Sequence, residues 1–209
     1  MSFYEKNIAT RTNLLDLKNQ IMITKSSLEI LKDKEDTLIS EFMQNIKTSK
    51  NLRTTMHSKI NEGLSALNSA YDVNGQTKTE IIAKSCTPQE NIDITNTNVM
   101  GVLIPKIKTE NISRAIDMRG YPINDTDETI DKTADIFEEA LEKTLKCGEI
   151  ENNIFLIGEE ISKTRTKANA LEKSIIPDLF SNEKQIKQKL NEIERQEISK
   201  IKRIKKMFN

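Results

Sequence analysis

The chain has 209 residues, with 32 basic and 32 acidic side chains, 31% charged, 36% hydrophobic and 4% aromatic residues, no tryptophan, six glycines and four prolines. So few aromatics and turn formers are poor material for a compact multi-layered core, and the regular placement of the apolar residues excludes a disordered polyelectrolyte. Two distant cysteines, Cys86 and Cys147, exclude a disulfide framework, and no apolar run approaches the ~20 residues of a membrane span. The opening MSFYEKNIATRTN has no apolar signal core, so the expectation is a soluble intracellular protein built of long helices.

The first predicted element is a coiled-coil helix over residues 1–71. Leu14, Leu17, Ile21, Leu28, Leu31, Leu38 and Phe42 follow alternating steps of three and four, with Thr24 and Glu35 in the two remaining positions. Ile46, Met56, Ile60, Leu64 and Leu67 carry a looser stripe onward, and the turn residues of YDVNG end it near Tyr71. At 1.5 Å per residue such a helix is about 85–90 Å long.

Residues 72–126 read as an irregular midsection containing Pro88, Pro105 and Pro122. Within it NIDITNTNVMGVLIPKI, residues 91–107, alternates and is β-branched, which predicts a small hairpin turning near Asn98–Gly101. Asp125 is then a candidate N-cap, with Glu128 as its capping-box partner. Apolar spacing at Ile130, Ala134, Phe137, Leu141 and Leu145 leads into the last helix, with Gly148 as a soft point. Between Glu110 and Glu151 lie twelve acidic and five basic residues, and runs such as FEEALE read as a solvated helix face.

The second coiled-coil helix occupies residues 127–209. Its seam is Ile150, Ile154, Ile157, Ile161, Thr164, Ala168, Leu171 and Ile175, continued by Leu179, Ile186, Leu190, Ile193, Ile201, Ile204 and Phe208. Steps of four and four from Leu171 through Ile175 to Leu179 form a stutter, which relaxes a left-handed supercoil, and Pro177 sits inside it. The last eleven residues, SKIKRIKKMFN, carry five basic and no acidic side chains. Two seams of similar length at opposite ends of the chain pair most simply with each other. A four-helix bundle would need turns that the sequence lacks. The fold class expected is therefore mainly α: a long antiparallel two-helix coiled coil with a β-hairpin and short-helix midsection.

Parts for covalent chemistry are missing. His57 is the single histidine, so neither a zinc site nor a catalytic triad can be assembled, and no glycine-rich phosphate loop occurs. No cofactor, metal or catalytic residue is expected. The basic tail admits a nucleic-acid or anionic-membrane reading, but no aromatic side chain is placed to stack on bases, and lysines also suit a solvated helix C-terminus.

Four blocks resemble the D-subunit family of V-type and A-type ATPases, the central rotor shaft. They are TRTNLLDLKNQIMITKSSLEILKDKEDTLISEF (residues 10–42), NVMGV followed by IP (98–105), RGYPINDT (119–126) and ISKTRTKANALEKSIIPDL (161–179). They stand in the family's order and span nearly the whole chain. The chain departs at Thr166 and Lys167, where the family is often arginine-rich, and residues 77–91 have little to align.

The resemblance implies a non-catalytic component that mechanically couples ATP hydrolysis or synthesis to proton or sodium translocation. It would be a cytoplasmic, peripheral part of a membrane-bound complex. Its partners would be the nucleotide-binding A and B subunits of the ring, the small central-stalk F subunit and a membrane-side socket, the C/d subunit. Both termini would lie inside the ring, the hairpin outside it toward the membrane, and the proline and stutter would give the shaft an off-axis bend. On that footing Leu14, Ile21, Leu28, Leu31, Ile161, Leu171, Ile186 and Ile193 hold the two helices together. Lys200, Lys202, Arg203, Lys205 and Lys206 are the expected ring contacts, and Val99, Met100, Gly101 and Val102 the expected partner-contact hairpin. The alternative is a generic antiparallel coiled-coil adaptor, which would not need the RGY and NALE blocks.

Overall fold

The computed structural model describes residues 9–87, 92–108, 112–122 and 126–208. Helix α1 (Arg11–Asn74) is followed by α2 (Gln76–Ser85), strands β1 (Ile94–Val99) and β2 (Val102–Ile107), and a 3-10 turn (Ile116–Met118). Helix α3 (Glu128–Ala170) passes through a π turn (Leu171–Ile175) into α4 (Ile176–Met207). The class is the one expected: two long helices, with a hairpin and a short helix between them. Helix α1 runs to Asn74, three residues past the expected end. Gly75, at φ 76°, then turns the chain in a conformation that costs glycine least. The carbonyl of Gly75 accepts both the amide (3.3 Å) and the hydroxyl (3.0 Å) of Thr79, which starts α2.

The chain forms two compact units, the first drawn from both ends of the sequence and the second from the continuous segment between them. The first comprises Met1–Thr37 and Ile161–Asn209. In it α1 runs antiparallel to the C-terminal helix, as three ion pairs record: Arg11–Glu194 at 2.8 Å, Lys32–Glu172 at 2.8 Å and Glu35–Arg165 at 2.7 Å. The Lys25 ammonium lies 4.8 Å from the centre of the Phe180 ring. Ile21 and Ile186 are buried, while Leu14, Leu28, Leu31, Ile161 and Leu171 are half-buried, as suits a two-stranded seam whose flanks face water. Ile193 departs from the seam expectation at 43% exposure, and Ile201, Ile204 and Phe208 are exposed as well. Arg11, the first residue of α1, pairs with Glu194, so Ile193 lies at the last of these cross-helix pairs and Ile201, Ile204 and Phe208 lie beyond it.

The second unit, Leu38–Glu160, pairs the rest of α1 with α3 in the same antiparallel sense. Arg53 pairs with Glu151, and Lys59 with Glu139 at 3.0 Å. Here the apolar stripe expected through Ile46 and Leu64 is corrected, since both are exposed. The covered positions are Phe42, Ser49, Met56, Gly63 and Ala70, spaced by seven, so the heptad persists through small and polar residues. Small residues sit opposite large ones: a Cβ on Gly63 would lie 3.4 Å from Phe137, and one on Gly158 3.5 Å from Phe42. Helix α3 runs through Gly148 without a break.

Asp125 lies outside the described residues. The first hydrogen bonds of α3 are accepted by the Asp127 carbonyl, from Ile130 (2.9 Å) and Asp131 (3.3 Å), so the helix starts later than a cap at Asp125 requires. Glu128 pairs with Lys132 at 2.5 Å.

The stutter has a structural counterpart. Ile176 donates its N–H to the carbonyl of Leu171, five residues back, which makes the π turn, and Pro177 sits in the first turn of α4. There a proline's missing N–H costs least. Ile175, expected in the seam, is turned outward at 43% exposure, and the buried Leu179 takes over.

Candidate functional site

The midsection builds the most elaborate of the described surfaces. β1 and β2 pair antiparallel from Ile94↔Ile107 to Val99↔Val102, so Met100 and Gly101 form a two-residue turn, at φ 52° and 86°. Positive φ at both positions matches the twist of the strands. Glycine adopts it freely, whereas Met100 does so against its Cβ. The Gly101 N–H donates to the Asn98 side-chain oxygen at 2.8 Å, which props the turn. Val102 and Ile104 are buried and Val99 is half-buried on one face, whereas Met100 at the tip and Ile94 and Leu103 on the other face are exposed. At the base, the Ile107 N–H donates to the Glu149 carboxylate of α3 at 2.9 Å.

A second cluster, unforeseen from sequence, fastens the midsection to α3. Arg119 is 1% exposed, the most thoroughly buried charge among the described residues. Its guanidinium donates to Glu138 (3.0 Å), Asp135, the Asp131 carbonyl (3.3 Å) and the Tyr121 hydroxyl (3.4 Å). Burial alone would lower its pKa. The hydrogen bonds to Tyr121, Asp135 and Glu138 outweigh that and hold its pKa above the ordinary arginine value. Glu138, placed in a solvated face by the sequence pattern, is buried: its other partners are the Arg114 amide (3.0 Å) and Nε (3.2 Å). Arg114 in turn donates to the Thr87 carbonyl at 2.7 Å, and the Thr87 amide donates to the Arg119 carbonyl at 2.9 Å. Tyr121 donates to Asp131 at 2.6 Å, and burial followed by that bond raises its pKa above the usual phenol value.

The ring of Tyr121 belongs to the small apolar core of this region, with Ala70 of α1, Ile82 of α2 and Ile130 of α3. The residue run RGY is thereby explained locally. Arg119 supplies the charge, Gly120 the φ of 86°, and Tyr121 the apolar body with a polar tip. The available signal was the spacing of Asp131, Asp135 and Glu138, which lie on one face of α3.

The basic tip lies in the other unit. Lys200, Lys202, Arg203, Lys205 and Lys206 are all exposed on the last turns of α4, interleaved with exposed Ile201, Ile204 and Met207. Among the described residues no group of three His, Cys, Asp or Glu side chains could hold a metal ion, and no helix is long and apolar enough to cross a membrane.

A family profile described as the D subunit of ATP synthase matches residues 13–206. Among curated relatives, the A-type ATP synthase D subunit of Methanosarcina acetivorans is 35% identical over 196 residues, covering 94% of either chain. That of Pyrococcus abyssi is 36% identical over 196 residues, 94% of this chain and 92% of the relative. That of Haloarcula marismortui is 32% identical, covering 94% of this chain and 85% of the relative.

Proposed function

The chain belongs to the ATP synthase D-subunit family, and from that membership we propose that it is the central-stalk rotor of a V-type/A-type rotary ATPase. It couples ATP hydrolysis or synthesis in a ring of nucleotide-binding A and B subunits mechanically to proton or sodium translocation through a membrane ring. Catalysis belongs to those other chains, and this one is a cytoplasmic, peripheral part of the membrane-bound complex. The observation that carries the reading is the extent of the match. It runs through both long helices and the hairpin between them, where a shared heptad stretch would cover one helix only.

Each surface then has a task. The exposed tip of Lys200, Lys202, Arg203, Lys205 and Lys206 works against the inner wall of the ring through exchanging ion pairs. Each exposed pair is worth only ~0–1 kcal/mol, so rotation past them does not stall. The hairpin turn, Val99 to Val102, and its neighbourhood meet the small central-stalk F subunit and the membrane-side C/d socket. The ring distinguishes its sites through unequal contacts with an asymmetric shaft, since differential contact is the only source of coupling.

The test is to mix the full chain with the A and B ring and measure stoichiometry, MgATP turnover and release. One chain per ring, altered turnover and slow release are expected. No binding, or several equivalent copies per ring, overturns the proposal in favour of a coiled-coil adaptor. Replacing the five tip cations by Gln should lower turnover and torque, and unchanged values would remove them from the ring contact.

A further inference from the structure

Leu171 and Leu179 are eight residues apart, one more than a heptad, yet the seam runs through both: Leu171 is half-buried, and Leu179 and Ile186 are buried. The π turn takes up the extra residue. In an unbroken α-helix Ile176 would donate to Glu172 and residue 177 to Lys173. The first donor is spent on Leu171 and the second does not exist in proline. Two successive carbonyls thus lose the ladder donor that an unbroken helix would supply. The seam does not require this. With one residue fewer before Leu179, and a helix former at 177, the heptad would run on, and half-buried Ile176 would fill the seam position that Ile175 leaves open.

We propose that Leu171–Ile175 with Pro177 is a compliant joint, one surplus residue pinned in place, about which the C-terminal helix twists or bends while the seams on either side stay closed. A π turn in a featureless helix can migrate by handing its surplus residue on, one hydrogen bond at a time. Pro177 blocks that step because it has no N–H to hand over. Two polar contacts with α1 hold the region: Lys32–Glu172 at 2.8 Å within the turn, and Lys25 over Phe180 just beyond it. Such exposed contacts re-form after small displacements, unlike interlocked apolar packing. The use of the joint rests on the rotor reading, as the place where a driven shaft absorbs twist. Its existence does not.

The test removes Ser174 and replaces Pro177 by Ala in the full chain. For the isolated chain, amide exchange across 172–178 should slow by about tenfold or more as local opening is suppressed. Its Tm should rise by roughly 2–4 °C or more. In the assembled complex, ATP turnover should persist while ions moved per ATP fall. Exchange in the native chain already as slow as in the flanking helix overturns the joint. So does a lower Tm on deletion, which would mean that the surplus residue serves packing; an unchanged ion-to-ATP ratio overturns its use as the place where the shaft absorbs twist. Pro177→Ala alone should spread fast exchange beyond the turn, and exchange still confined to 172–175 would overturn the pinning. Slow exchange restored in the variant, with a native chain that never binds a ring, supports the joint and counts against the rotor reading only.

Discussion

Gly120 stands so close to Thr87 that a Cβ on it would lie 2.1 Å from the threonine Oγ1 and 3.0 Å from its amide nitrogen. The threonine amide cannot retreat without giving up its bond to the Arg119 carbonyl. With φ at 86° as well, Gly120→Ala meets a steric and a conformational penalty together. We expect a loss of roughly 1–3 kcal/mol, read from urea unfolding of the full chain. A loss below about 0.5 kcal/mol would mean that the contact relaxes freely.

Arg119→Gln should be the most damaging substitution in the midsection. It leaves Glu138 buried without its strongest partner, and breaking such a pair costs about 3–5 kcal/mol. The Asp135 arm contributes less, because that carboxylate is 59% exposed. Adding Glu138→Gln should recover part of the loss. A double-mutant cycle showing no coupling between the two positions would refute the pairing.

Tyr121 links stability to alkaline pH. Its folded pKa is raised, so the neutral phenol is favoured in the folded state. That contribution is whole below the unfolded phenol value of about 10 and is lost as pH rises through the folded one. Stability should therefore fall above pH ~10, more steeply in the native chain than in Tyr121→Phe. Equal slopes would exclude Tyr121 as the source. At the acid end the signs reverse. Arg53 holds Glu151, and Lys32 holds Glu172, below the usual carboxylate range, so their contributions persist above that range and fade as pH falls through it.

Gly148 offers the opposite experiment to Gly120. It lies inside α3 with nothing within 4 Å of the place a Cβ would occupy. Gly148→Ala should stabilise the chain by about 0.5–1 kcal/mol by reducing the freedom of the unfolded backbone. A destabilised variant would mean that the helix needs to yield there.

The helical pair and the hairpin were legible because their signals are periodic. The turn falls inside the stretch NVMG, where it was expected. The seam from Phe42 to Ala70 was misplaced because pattern reading follows apolar residues, whereas Ser49, Gly63 and Ala70 hold their positions by being small. A short helix in the midsection was expected, but the position of α2 was not legible: QTKTEIIAKS has one isoleucine pair, and its buried member, Ile82, is covered by Tyr121 and Ala70 from distant parts of the chain. Arg119 was invisible for a similar reason, since burial of a charge depends on carboxylates elsewhere in sequence.

The cross-helix ion pairs carry a consequence beyond their small energies. Consider α1 displaced by one heptad along its antiparallel partner, a shift that an apolar seam of repeating leucine and isoleucine would tolerate. In one direction Arg11 would meet Lys187, Lys32 would meet Arg165 and Lys59 would meet Lys132. In the other, Arg11, Lys32 and Arg53 would face Ile201, Leu179 and Gly158, and Lys59 would face Lys146. Neither misalignment gives any of these four cations an opposite charge. The hydrophobic stripe lets the strands adhere, and the spacing of the charges makes a single alignment the one that satisfies them, a molecular proofreading of length.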